Sequence, residues 1–113
     1  MTSQYHIIRF SPVPEIFEPT NIALLLLDEG QRPSIHYDPS FPRLSCVAPD
    51  FNVDFLGSWL DSLSRELRDF RGDDCVKLLT SRSGQLFVME RCVLLGGIEP
   101  EILVILQRIY LAR

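Results

Sequence analysis

Six apolar residues stand in an unbroken row from Ile22 to Leu27, between Thr20-Asn21 and Asp28. A run of that kind predicts a strand buried on both faces, so other elements must cover it twice. Before it, Tyr5-His6-Ile7-Ile8-Arg9-Phe10 is aromatic and branched and predicts a first strand. Alternation places Tyr5, Ile7 and Arg9 on one face of that strand and His6, Ile8 and Phe10 on the other. Pro12, Pro14 and Pro19 lack an N–H and bias their predecessors away from helix, which makes the intervening segment a connection. Asp28-Glu29-Gly30-Gln31-Arg32-Pro33 is a polar turn, and Ser34-Ile35-His36-Tyr37 alternates as a short third strand. Three consecutive strands most simply form an antiparallel meander.

The period then changes. After Pro49-Asp50, with Asp50 as the expected N-cap, Leu56, Trp59, Leu60, Leu63, Leu67 and Phe70 recur at three- and four-residue steps. Phe51 and Phe55 extend that apolar face. Gly57 weakens the helix by about 1 kcal/mol relative to alanine, which points to a close contact there. Gly72 is a natural C-terminal stop. Leu44 to Ala48 reads as extended chain or a single turn. Val76 to Thr80 and Gln85 to Glu90 read as a strand hairpin around Ser81-Arg82-Ser83-Gly84, and Arg91 to Leu95 continues as extended or irregular chain.

Pro100 opens a last helix through about Leu111. Ile102, Leu103, Ile105, Leu106, Ile109 and Tyr110 are expected on its buried face, with Val104 and Leu111 on the opposite side. The element order predicts an α+β fold in a single domain, residues 1–113. Its small, mostly antiparallel sheet would have about five strands, with two amphipathic helices on one face. The central run asks for cover on the second face as well, from the 38–49 loop or from another chain.

Composition narrows the chemistry. The net charge is −4 and the only lysine is Lys77, so no basic block marks a nucleic-acid surface. Cys46, Cys75 and Cys92 are odd in number and far apart, which fits free thiols in a reducing cytoplasm better than a disulfide framework or a zinc site. The N-terminal residues do not form a signal peptide, and the longest apolar run is too short to span a membrane. Neither a metal nor a cofactor is called for by any motif.

Tyr5 to Phe10, Pro12 and Glu18-Pro19-Thr20-Asn21-Ile22-Ala23-Leu24 together resemble a known N-terminal signature. It is that of the bacterial family described as domain of unknown function 3037. Members read Tyr-x-x-x-Arg, a proline-containing spacer, then Glu-x-x-Asn-x-Gly-Val and an apolar strand. Asp50-Phe51-Asn52-Val53-Asp54-Phe55-Leu56 is similar to the family's acidic entry into a long helix, and Leu79-Thr80-Ser81-Arg82-Ser83-Gly84 to its later Arg-Ser turn. Ala23 stands where the family has glycine, and Arg91 to Gly97 replaces a His-Thr-Gly-like segment. The resemblance implies no particular activity. It implies a bacterial setting and, as genomic context, a co-encoded kinase of the HipA type as a partner.

The polar residues that match the family pattern are Arg9, Glu18, Asn21, Arg82 and Ser83. They are the candidate ligand site, in which an arginine grips a carboxylate or phosphate. The structural alternative, in which they satisfy strand-end backbone groups, is favoured. His6, His36 and Cys92 have no acid or nucleophile at a telling spacing and read as structural. The functional expectation is a non-enzymatic interaction module that works with a larger partner or as a homo-oligomer, with Val104 and Leu111 at the interface. The alternative is a small enzyme or ligand-binding domain acting through the Arg/Glu/Asn cluster.

Overall fold

The computed structural model describes residues 2–10, 20–82, 86–95 and 100–112. Strands β1 (Thr2–Phe10), β2 (Thr20–Leu27) and β3 (Pro33–His36) are followed by helices α1 (Pro42–Val47) and α2 (Val53–Glu66). A 3-10 turn (Leu67–Asp69), helix α3 (Asp73–Arg82), strand β4 (Leu86–Leu95) and helix α4 (Pro100–Tyr110) complete the order. The described strands form one four-stranded sheet in the order β3-β2-β1-β4, and all three pairings are antiparallel. The expected meander is present, and the expected five strands become four.

The missing strand is residues 76–80, which lie in α3 and not in a hairpin. Asp73 and Asp74 occupy the first turn of α3, where carboxylates complement the helix dipole. Cys75 and Leu79, one helical turn apart, are buried together in the core. That spacing decides for helix over the branched-residue preference for strand. Of the two readings of 44–48, extended chain or a single turn, the helical one is nearer, since Pro42–Val47 forms the short helix α1.

The cap of α2 also moves. Asn52, not Asp50, accepts from the backbone N–H groups of Asp54 (3.1 Å) and Phe55 (3.3 Å). Phe55, expected on the apolar face, is 63% exposed, whereas Leu56, Leu60 and Leu63 are buried. Gly72 has φ +59° and ends the segment as expected, with its N–H bonded to the carbonyl of Gln31 at 3.1 Å. Asp28 holds the β2–β3 turn by accepting from Gly30 N (2.9 Å) and Arg32 N (2.8 Å).

Both faces of the sheet are covered, by unequal means. Helix α1 lies against β2, α2 against β3 and α3 against β4. Their side chains Leu44, Leu56, Leu60, Leu63, Cys75 and Leu79 pack with Ile8, Phe10, Leu25 and Leu27 of the sheet. The other face presents Tyr5, Ile7, Leu24 and Leu26, and it is closed by α4 through Leu106 and Leu111, flanked by Ile102, Leu103 and Tyr110. The helices thus divide between the faces, and the cover over the second face of β2 is α4 rather than the 38–49 loop. Among the described residues no helix is long and apolar enough to cross a membrane.

Candidate functional site

Two of the five polar residues singled out in the sequence meet, and a bulge brings them together. Along β1 and β2 the pairing runs Ile7 with Leu24 and Ile8 with Ala23, then skips to Arg9 with Asn21. Ile22 is the extra residue of a β-bulge, which lets both Ile22 and Ala23 enter the core under α1–α3. Simple alternation from Ala23 would put Asn21 on that same face. The bulge turns it to the face of α4 instead, beside Arg9.

There Arg9 donates its Nε–H to Asn21 Oδ1 at 2.8 Å, and Asn21 donates from Nδ2 to the carbonyl of Tyr110 at 3.1 Å. Tyr110 in turn shares a hydroxyl–hydroxyl hydrogen bond with Tyr5 at 3.0 Å, with ring centroids 5.7 Å apart. Arg43 completes the junction from α1, donating Nε–H to the carbonyl of Ala112 (2.9 Å) and Nη2 to that of Ile109 (2.6 Å). The carbonyls of Ile109 and Tyr110 belong to the last turn of α4, which has no intrahelical partners for its acceptors. Arg43 and Asn21 therefore satisfy acceptors at the negative end of the helix, and Arg9 holds Asn21 in place.

Glu18 and Ser83 lie outside the described residues, and Arg82 is placed only as the last residue of α3. Arg43 is not singled out from the sequence, and Tyr110 only as a buried-face residue of the last helix. The one signal for Arg43 there is the general affinity of arginine for a helix C-terminus, which needs the fold to give it an address.

Beside this junction, Tyr37, Asp38, Gln107, Arg108, Leu111 and Ala112 line an open cleft of about 340 Å³. Tyr37 donates its hydroxyl to the Asp61 carboxylate at 2.7 Å, and that bond, ahead of burial, pushes its pKa up to about 12. The Asp38 carboxyl is held below its usual value by two bonds from Ser40, from the hydroxyl at 2.7 Å and the backbone N–H at 2.9 Å. The cleft therefore presents a protonated phenol committed to Asp61 and a carboxylate committed to a turn. Neither is poised for proton transfer near neutral pH. Among the described residues no group of three His, Cys, Asp or Glu is arranged to hold a metal ion. Cys46 is an exposed free thiol, and Cys75 is buried, with its pKa raised mainly by that burial.

The outer side of α4 is of another kind. Glu101, Val104, Ile105, Arg108 and Ile109 follow the i, i+3, i+4, i+7, i+8 spacing of one helix face, and all five are exposed. Val104, Ile105 and Ile109 are 53%, 55% and 56% exposed. Val104 is where the sequence puts it, while Ile105 and Ile109, expected inside, face out. Leu111, expected on the outer face as an interface residue, is 3% exposed and packs in the core beneath α4. The physical reason is that apolar residues circle the whole helix, so its period does not fix which side faces the sheet.

Comparison with protein-family models, with curated proteins and with solved structures finds no match to this chain.

Proposed function

We propose that this chain is a non-enzymatic protein-interaction module whose contact surface is the outer face of α4. The observation that carries the reading is the branched aliphatic stripe Val104, Ile105 and Ile109, more than half exposed on a helix whose inner face is already in the core. Three such side chains together are what a partner would cover. The resemblance to the domain of unknown function 3037 family supports a bacterial cytoplasmic setting, with a co-encoded kinase of the HipA type as one partner to try.

The ligand-binding alternative draws less support. Arg9 is engaged with Asn21, and Asn21 with the backbone of α4, which supports a role in positioning the helix.

Light scattering coupled to size-exclusion chromatography tests the proposal, using the full chain alone and mixed with the proteins encoded beside it. The expected result is a complex or self-association that Val104→Glu weakens. A monomer that binds none of those proteins, or a complex untouched by Val104→Glu, overturns it.

A further inference from the structure

We infer that the occupant of the outer face of α4 is a second copy of the same chain, packed with the two helices antiparallel. This rests on the reading of that face as a contact surface and adds its partner and its register. Charge is ordered along the stripe. Glu101 stands toward its N-terminal end and Arg108 toward its C-terminal end, with Val104 and Ile105 between them.

Place a two-fold axis midway between Val104 and Ile105 and run the second helix antiparallel. Val104 then meets Ile105 of the second copy, and Ile105 meets its Val104. The same operation brings Glu101 against Arg108 of the second copy, and Arg108 against its Glu101. One register therefore satisfies the apolar centre and both charged ends, as a two-fold interface requires. A parallel pairing would set Glu101 on Glu101 and Arg108 on Arg108, which like-charge repulsion opposes. Opposed helix dipoles add a smaller preference for the antiparallel arrangement.

The interface is small. Helix α4 has 11 residues and so is only ~16 Å long. A contact of that length belongs with the smaller, reversible interfaces, with a dissociation constant of about 10–100 µM.

Sedimentation velocity of the full chain, from roughly 1 to 300 µM, spans that range of affinity. The wild type is expected to pass from monomer to dimer. Glu101→Arg and Arg108→Glu, each alone, place like charges across the axis twice and should weaken association by about tenfold. The double reversal re-forms both pairs and should return the dissociation constant to within about threefold of wild type. Both residues are exposed, so the variants should keep the far-UV circular dichroism of the parent, with a slightly lower melting temperature because each reversal opposes the dipole of α4. A wild type monomeric across the range overturns the second-copy inference, while the contact-surface reading then stands or falls on the mixed-protein experiment. A dimer whose affinity the double reversal does not restore overturns the antiparallel register.

Discussion

The two faces of the sheet are built from the same central strand and closed in different ways. Under α1, α2 and α3 the cover is deep: Leu44, Leu56, Leu60, Leu67 and Leu79 are fully buried and interlock with Ile8, Leu25 and Leu27. Under α4 the cover is a single helix, and Leu106 is the residue along it that is buried. The thin face adds polar ties at its end, where Asn21 and Arg43 take the last carbonyls of the helix. The first face is held mainly by volume. The second is held by a smaller volume plus directional bonds, and its helix leaves Val104, Ile105 and Ile109 exposed on the outer side.

That contrast fails or holds on a pair of truncations. Leu60→Ala empties a site with no exposure in the deep face and should cost about 3–5 kcal/mol. Leu106, 6% exposed under α4, can partly relax toward solvent. Leu106→Ala should cost about 2–3 kcal/mol, at the low end of the range for leucine truncations. Urea denaturation of the two variants under one buffer checks this. Equal losses would mean that the two faces carry the fold alike.

The asymmetry was only partly legible beforehand. The six-residue run of β2 announces burial on both faces, because no polar residue interrupts Ile22 to Leu27. The alternation in β1 likewise divides Tyr5 and Ile7 from Ile8 and Phe10, as the two cores do. The location of α4 was hidden, since a helix that is apolar around most of its girth has no unique inside. Residues 76–80 misled because Val, Leu, Leu and Thr suit a strand locally, and only the tertiary partners of Cys75 and Leu79 reveal the helical spacing. The meeting of Arg9 with Asn21 depends on the bulge at Ile22, and nothing in the residue types marks where pairing will slip. The Asn21-Ile22-Ala23 step is that bulge, with Ala23 fully buried.

Next in size is the loss of a tie. Asn21→Ala removes the acceptor of Arg9 and the donor to Tyr110, leaving a part-buried carbonyl and a guanidinium without those partners. The expected cost is about 1–3 kcal/mol. Hydrogen exchange should show faster opening in α4 with α2 unchanged, because the bonds are confined to the thin face. Uniform acceleration across both helices would erase the distinction between directional and volumetric closure.

The deep face offers a smaller test of opposite sign. A Cβ added at Gly57 would stand 3.6 Å from the Tyr37 hydroxyl oxygen and 3.8 Å from Cε2, ordinary van der Waals contact. The glycine is close to its neighbour, as its presence in mid-helix suggested, yet room for a methyl group remains. Gly57→Ala should therefore stabilise the protein by about 0.5–1 kcal/mol through helix propensity. A loss in thermal denaturation would show that the Tyr37 contact to the Gly57 carbonyl, at 3.3 Å, tolerates no adjustment.

The smallest effect sits at the rim of the thin face. His36 pairs across from Leu24, a residue of the core under α4, and its Nε2 lies 3.0 Å from Ser34 Oγ. Burial lowers its pKa below the ordinary 6.5. In the unfolded chain the ring gains a proton near pH 6.5, whereas in the folded chain it resists until lower pH. Between those two points the unfolded state holds more protons, so stability rises with pH and falls as the solution is acidified. The contribution is complete above 6.5 and is lost on descent toward the folded value. Denaturation midpoints measured from pH 8 to 5 should show this slope in the wild type and a shallower one in His36→Gln, with the difference appearing below about pH 6.5. If the two curves stay parallel, His36 is as accessible to protons in the folded chain as in the unfolded one. The edge of the thin face would then be open to water, and the closure by α4 would end at Leu24.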